Sequence, residues 1–280
     1  MDKHKGDRAI KNLFKAVAVL SFFSITIRFL SFAYRIFLSR MLSTAMLGTY
    51  TIALSVFGIF NTLLASGTPL AVSRLVSVSD KNIISFRNKK DSSIVAAGCV
   101  ISGSLAVVLA IFVLVGKPFF DLFFTHESIY HVLRALVPAI IATGVYTAFR
   151  GYMYGREKYL HVSVVELIEQ VLRMGLSIFL MLFILSPSSP VPAATGFSLA
   201  AVISTIIGIF IYFKIGGRLA SPKHQYKQVM ASSAPITAVR IGGSIVAPIV
   251  STIIPLKLQS IGFSPEQALS VLGIMVGMTM

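Results

Sequence analysis

Six arginines lie inside segments that are otherwise apolar enough to cross a membrane. They are Arg28, Arg35, Arg74, Arg134, Arg173 and Arg240. An arginine at mid-bilayer costs at least about 2.5 kcal/mol, so such residues face a bundle interior or a wet cavity. Only two acids, Glu166 and Glu169, share these segments. Because guanidinium groups stay charged and bind phosphate oxygens bidentately, the excess positive charge predicts a site for an anion.

The positions of five arginines separate candidates for substrate binding from candidates for lipid contact. Arg28 and Arg35 are seven residues apart and share one face of a helix. Neither Arg28 nor Arg240 has an acidic partner nearby in the sequence, which makes these two the strongest candidates for substrate binding. Arg74 and Arg134 lie toward the ends of their segments, where snorkelling to lipid head groups is the alternative.

The fifth segment carries an acid–base pattern of its own. Glu166, Glu169 and Arg173 occur at i, i+3 and i+7. Because Glu169 precedes Arg173 by four residues, the order favours a structural ion pair on one helix, which competes with a substrate-binding role for Arg173. Gln170 is placed to link neighbouring helices. We therefore interpret Glu166, Glu169 and Gln170 as structural or coupling residues.

Composition assigns the chain to the membrane class. Of its 280 residues 55% are hydrophobic and 12% charged, with a mean hydropathy of +0.84, whereas soluble domains carry about 25% charged residues. The net charge is +15, but the basic residues lie in short clusters between apolar runs, which argues against nucleic-acid binding. Cys99 is the only cysteine, which excludes an internal disulfide. Catalytic, metal-binding and Walker A motifs are absent from the sequence, so we predict neither catalysis nor a cofactor.

The apolar residues come in runs long enough to cross a bilayer as helices. Continuous apolar runs, in place of strict alternation, exclude a transmembrane β-barrel. Seven complete segments are predicted, approximately 13–38, 45–76, 93–115, 129–150, 160–185, 193–213 and 231–256, and an eighth begins near Pro265. The chain is therefore predicted to be an all-α polytopic membrane protein with about seven or eight transmembrane helices.

The charges of the loops predict the orientation. Sixteen of the 25 lysines and arginines lie in loops on one side of the predicted segments, and three lie in loops on the opposite side. Because cytoplasmic loops carry the excess of Lys and Arg, we predict a multi-pass protein of the cytoplasmic membrane with a cytoplasmic N-terminus.

Residues 1–214 are predicted to form a complete six-helix lobe, residues 215–230 a basic cytoplasmic linker, and residues 231–280 the start of a second lobe. A second lobe equal to the first needs roughly four more helices, so we expect the chain to be truncated. In transporters, interrupted helices often line the substrate-binding site and bend when the protein changes conformation. Glycine and proline interrupt three segments, at Gly67-Thr-Pro69, at Pro138, and at Gly242-Gly243 with Pro248 and Pro255.

Several motifs, in order, resemble one transporter family. They are Ile27-Arg-Phe-Leu-Ser-Phe-Ala-Tyr-Arg35, Leu47-Gly-Thr-Tyr50, Gly67-Thr-Pro-Leu-Ala-Val-Ser-Arg-Leu-Val76, Arg150-Gly-Tyr-Met-Tyr-Gly155, Val165-Glu-Leu-Ile-Glu-Gln-Val-Leu-Arg173 and Ala234-Pro-Ile-Thr-Ala-Val-Arg240. The chain resembles the polysaccharide-transporter and stage V sporulation protein B family. That family belongs to the multidrug/oligosaccharidyl-lipid/polysaccharide (MOP) flippase superfamily, which also contains lipid II flippases.

The resemblance implies a MOP-type bundle of two pseudo-symmetric lobes around a central cavity that opens alternately to either side. In lipid II flippases, arginines on the first two helices line a cationic cavity for the lipid diphosphate. Arg28, Arg35 and Arg74 occupy the matching motif positions. Ser31 departs from the family, which often has glycine there.

The sequence and the resemblance together predict a flippase that moves a polyprenyl-diphosphate-linked oligosaccharide or peptidoglycan precursor across the membrane. Its expected partners are this lipid-linked substrate, the bilayer and a coupling ion, Na⁺ or H⁺. A cation-coupled multidrug exporter of the same superfamily is one alternative, for which only Glu166 and Glu169 qualify as acidic cavity residues. A polyprenyl-phosphate glycosyltransferase is the other, and it needs a metal-binding or general-base carboxylate in a loop.

Overall fold

The computed structural model describes residues 3–78, 84–124, 126–184, 189–218, 220–222 and 225–278. This part of the chain is helical and contains no strand. The α-helices, in chain order, are α1 Lys3–Met41, α2 Thr44–Ala65, α3 Thr68–Val78, α4 Ile84–Val115, α5 Lys117–Phe123, α6 Glu127–Ala135, α7 Val137–Gly155, α8 Tyr159–Phe179, α9 Val191–Lys214, α10 Tyr226–Ser244, α11 Val246–Ser260 and α12 Pro265–Met278. The all-α fold expected from the apolar runs is confirmed.

Six helical stretches of the described chain are long and apolar enough to cross a membrane. They are Val17–Met41, Thr44–Val78, Lys90–Val115, Glu127–Gly155, Val191–Lys214 and Tyr226–Ser260. The remaining predicted segment, the fifth in chain order at 160–185, corresponds to α8 and a π-helical continuation, Leu180–Ile184. Its 21 residues span about 31 Å at 1.5 Å per residue, which matches a bilayer core. Three charged side chains lower its apolar character, and α8 packs between α1 and α9.

The predicted helix interruptions are present in two segments and shifted in the third. The first separates α2 from α3 at Ser66-Gly67, and Pro69 follows as the second residue of α3. Leu136 separates α6 from α7, and Pro138 occupies the first turn of α7, where a proline fits because no backbone donor is needed. The third break lies at Ile245, after the glycine pair, and Pro255 remains inside α11.

Small residues let the helices approach closely around α7, which contacts α3, α4 and α9. The Ser102 hydroxyl on α4 donates to the carbonyl of Gly144 on α7 at 2.7 Å. On the other side of α7, a side chain at Gly151 would collide with the backbone of Pro69. Glycine and serine contacts of this kind are typical of helix pairs in membranes. They hold α7 close to α4 on one side and to α3 on the other.

The segment after α9 is shorter than the predicted linker. Helix α10 begins at Tyr226, so the last five residues of the expected linker 215–230 are helical. The Tyr212 hydroxyl donates to the Arg218 carbonyl at 2.9 Å and holds the start of this segment against the end of α9. Helices α10, α11 and α12 pack directly on α2, with α10 also contacting α3 and α4.

One of the basic loop residues used to predict orientation is not free in solvent. Arg156, directly after α7, forms an ion pair with Asp91, which is buried. The guanidinium group also lies over the ring of Tyr152, 5.9 Å from its centroid. This contact joins the end of α7 to α4.

Candidate functional site

Three adjoining cavities lie beside α2. The first, between α1, α2 and α8, has a volume of about 350 Å³ and is called the α1–α2 cavity. The second, the central cavity, has about 360 Å³ and is lined by α1, α2, α7, α8 and α9. The third, the Arg240 cavity, has about 380 Å³ and lies where α2, α7 and α10 meet.

The cavities follow one another along α2. The residues of α2 that line the α1–α2 cavity lie between Leu47 and Ser55, and those that line the central cavity lie between Phe57 and Ala65. The Arg240 cavity is lined by α2 residues between Asn61 and Ala65 and by Ser66, directly after the helix. The nineteen residue steps from Leu47 to Ser66 correspond to about 28 Å at 1.5 Å per residue. That length is close to the roughly 30 Å of a hydrocarbon core. The row of cavities is therefore as long as a path across the membrane.

Four arginines occur in this row. Arg35 lines the α1–α2 cavity, and Arg173 lines both that cavity and the central one. Arg150 lines both the central and the Arg240 cavity, and Arg240 lines the last. Each cavity therefore has two guanidinium groups, and each neighbouring pair of cavities shares one.

Arg173 lies at the boundary between two cavities and is held there from two sides. Its Nη2 donates to Oε1 of Glu169 at 2.6 Å, which is the i,i+4 pair expected from the spacing. Its guanidinium carbon lies 4.0 Å from the ring centroid of Phe197 on α9. The Ser204 hydroxyl of α9 donates to the other oxygen of Glu169 at 3.3 Å. The neighbouring Gln170, which the sequence predicts to link helices, is buried and lines the same two cavities.

Arg150 is a cavity residue that sequence reasoning missed. The sixteen basic loop residues counted from the sequence include Arg150, because the predicted fourth segment ends at this residue, whereas α7 continues to Gly155. Its Nη1 contacts Oε1 of Glu166 at 3.5 Å, and its Nη2 donates to the Ala65 carbonyl at 3.3 Å. Ala65 is the last residue of α2, where carbonyls lack helical donors. The extra turn of helix beyond Arg150, which has the apolar residues Tyr152 and Met153, was the available signal.

Arg35 and Arg240 lie at the two ends of the row. Among the described residues neither forms an ion pair with an acidic side chain. The two middle arginines each have a glutamate partner. The row is therefore close to charge-balanced at its centre and positive at both ends.

The structure places the other predicted arginines outside the three cavities. Arg28 is exposed on α1, because Ile27 and Ser31 occupy the face of α1 toward the central cavity. Arg74 is exposed on α3, whose Val72 and Val76 form the buried face. Arg134 is exposed and stacks over Tyr130, 5.9 Å from the ring centroid. Of the arginines predicted to bind substrate, Arg28 and Arg74 thus line none of the three cavities, and Arg35 and Arg240 line two different ones.

The chemistry available in the row is recognition of charge and hydroxyl groups. Guanidinium donors, two carboxylates, Asn61, Gln170 and several hydroxyls line it. Within the described residues, no three His, Cys, Asp or Glu side chains lie together in a way that could hold a metal ion.

Comparison with solved structures identifies the fold. An inward-facing multidrug resistance MATE family transporter of the MOP superfamily superposes with a TM-score of 0.69, at 16% identity, over 92% of this chain and 60% of that structure. A eukaryotic MATE transporter superposes with a TM-score of 0.60, at 13% identity, over 88% of this chain and 52% of that structure. The MOP-type bundle is confirmed.

Comparison of sequences identifies the family. The chain is 23% identical over 251 residues to stage V sporulation protein B of Bacillus subtilis, which covers 85% of this chain and 48% of that protein. The chain thus spans about half the length of this curated relative. The family described as polysaccharide biosynthesis protein matches residues 13–258. On that match, the chain belongs to the polysaccharide biosynthesis protein family.

Proposed function

We propose that this chain forms the arginine-lined lobe of a flippase that moves a polyprenyl-diphosphate-linked oligosaccharide or peptidoglycan precursor between leaflets of the cytoplasmic membrane. The observation that carries the proposal is the row of Arg240, Arg150, Arg173 and Arg35 along about 28 Å of α2. A diphosphate is the charged part of such a substrate, and planar guanidinium groups match its oxygens.

The charge distribution suggests how the substrate moves. Hydrogen bonds to charged groups contribute about 1.5–3 kcal/mol each. A diphosphate therefore binds most strongly to an arginine whose guanidinium group has no carboxylate partner. Arg240 and Arg35 are such arginines at opposite ends of the row. In the middle, Glu166 and Glu169 reduce the net positive charge, so the diphosphate is not held too firmly to leave. These two carboxylates, with Gln170, are the groups on which a coupling H⁺ or Na⁺ would act.

The alternative of a cation-coupled multidrug exporter has the support of the fold alone. A cationic drug needs free carboxylates, but Glu166 contacts Arg150 and Glu169 contacts Arg173. The glycosyltransferase alternative needs a carboxylate at a loop. Asp91 is unsuited to this role, because it lies within α4 and is buried in its pair with Arg156.

Binding by the purified chain in lipid nanodiscs tests the proposal. Farnesyl diphosphate and farnesol share one hydrocarbon tail and differ in the diphosphate, and native mass spectrometry measures both affinities. We expect at least a tenfold preference for the diphosphate, which decreases as salt rises. Arg35→Ala and Arg240→Ala should each reduce the preference severalfold, whereas Arg134→Ala, outside the three cavities, should not.

Equal binding of the diphosphate and the alcohol would contradict anion recognition. Tighter binding of the lipophilic cation tetraphenylphosphonium than of farnesyl diphosphate would favour the multidrug exporter instead.

A further inference from the structure

Two buried tyrosines stand in the α1–α2 cavity. Tyr34 on α1 is 6% exposed and Tyr50 on α2 is 4% exposed, and both line the cavity beside Arg35 and Arg173. Their hydroxyls lie near each other and near Ser177. However, neither hydroxyl makes a hydrogen bond of good geometry with another described residue, and the Ser177 hydroxyl already donates to the Ala193 carbonyl at 3.0 Å.

A buried hydroxyl without a hydrogen bond is unfavourable, and most buried polar groups have a partner. Two such hydroxyls that line one cavity are therefore available to donate to a group bound inside it. Thr51 and Ser55, which also line it, already donate to the carbonyls of Leu47 and Thr51. Ser31 likewise donates to the Ile27 carbonyl. Among the hydroxyl groups that line this cavity, the two phenols are thus the ones without a hydrogen-bond partner in the described part of the chain.

The charges of the two larger cavities differ in kind. The lining of the α1–α2 cavity has two arginines and no carboxylate. The lining of the central cavity has two arginines, two glutamates and the amide Asn61, while the amide Gln170 lines both cavities. Phosphate oxygens only accept hydrogen bonds, and carboxylates repel them. Sugar hydroxyls both donate and accept, so a lining with both kinds of group suits them.

Resting on the proposed function, we propose that Tyr34 and Tyr50 are substrate-binding residues that donate hydrogen bonds to the phosphate oxygens. The α1–α2 cavity is then the phosphate subsite, and the central cavity is the saccharide subsite. Arg173, which lines both cavities, lies where the phosphate joins the sugar. In the central cavity Tyr146 has the corresponding feature, since its buried hydroxyl also lacks a partner in the described chain.

Removal of single hydroxyl groups tests this assignment with little change in volume. The probes are farnesyl diphosphate, the same molecule carrying one hexose, and farnesol, each bound to the chain in nanodiscs. We expect Tyr34→Phe/Tyr50→Phe to weaken farnesyl diphosphate binding about tenfold, since phenol–phosphate bonds are charge-assisted, and farnesol binding less than twofold. Tyr146→Phe should leave farnesyl diphosphate unchanged and reduce the affinity gained from the hexose.

Tyr130→Phe is the matched control, because it removes a buried hydroxyl that donates to the Leu114 carbonyl away from the cavities. The inference fails if Tyr34→Phe/Tyr50→Phe changes diphosphate binding no more than this control, or if diphosphate and farnesol binding fall together. If Arg35→Ala still weakens diphosphate binding in that case, the proposed function stands without the tyrosines. If neither variant has an effect, both proposals are wrong.

Discussion

Inside a membrane, an arginine needs either a partner or a polar cavity. Among the described residues, Arg173 and Arg150 have partners, and Arg35 and Arg240 line cavities. Arg173 combines a carboxylate at 2.6 Å with an aromatic face at 4.0 Å, and Arg150 has a carboxylate and a free helix-end carbonyl. Arg35 and Arg240 line cavities without an ion pair to any described acid. In the proposed function, the two paired arginines shape the cavities and the other two bind the ligand.

We expect Glu169→Gln to destabilise the protein by about 1–3 kcal/mol, because it leaves the Arg173 charge without its partner in a partly buried place. Thermal unfolding of the purified protein measures the effect. Replacement of both partners, Glu169→Gln with Arg173→Gln, should recover part of the loss, since no charge is then stranded. A double variant that loses the full sum of the two single effects would show that the pair has no structural role.

At the scale of helices, glycine decides how closely α12 approaches α2. A side chain at Gly48 would collide with the Leu269 carbonyl, and one at Gly273 would collide with the Thr44 carbonyl. Backbone atoms cannot move aside as a flexible side chain can. The two glycines therefore permit a backbone-to-backbone contact between these helices, in keeping with small-residue packing in membranes.

Gly48→Ala should consequently weaken the packing of α12 on α2, with a loss of about 1–3 kcal/mol, as is usual when extra atoms enter a packed interior. Gly58→Ala on the same helix is the control, because no atom lies within 4 Å of the added methyl group. Alanine also favours a helix over glycine, so Gly58→Ala should be neutral or slightly stabilising. Thermal unfolding compares the two variants, and an equal response at both positions would contradict the close contact.

At the scale of the whole molecule, five of the six apolar helical stretches and the charged helix α8 line a row of cavities about as long as a bilayer is thick. Backbone N–H and C=O groups inside a membrane must form hydrogen bonds within the protein. The irregular backbone inside the predicted segments therefore concentrates at the three helix breaks. One of these breaks, at Ala65 to Gly67, borders the row, and Arg150 donates to its free carbonyl. The break, Arg150 and Arg240 thus meet in one place.

The orientation of the molecule is tested by labelling single cysteines in intact cells. Lys117→Cys, at the start of α5, should react with an impermeant maleimide. Lys117 is exposed and lies on the side with few basic residues, which is predicted to be external. Lys158→Cys, between α7 and α8, should react only after the cells are opened. Both are made in a Cys99→Ala background, since Cys99 is the only native cysteine. External labelling at position 158 would reverse the predicted cytoplasmic N-terminus.

The sequence by itself determined the class of the protein, the approximate helix ends, two of the three breaks and the Glu169–Arg173 pair. These features depend on hydropathy, on proline and glycine, and on spacing within one helix, all of which are local. Pro138, for example, favours the first turn of a helix through its own fixed φ angle, independently of distant parts of the chain.

Only the tertiary structure decided which arginines share the row of cavities. Arg28 and Arg35 are seven residues apart, yet Arg35 alone lines a cavity, while Arg150, assigned from sequence to a loop, lines two. The partner that a side chain meets depends on how its helix is rotated and how far it extends. Both are set by contacts with distant helices, such as those of α7 with α4 and α9. Hydropathy and spacing carry no information on these contacts, because a cavity is built from residues far apart in the chain.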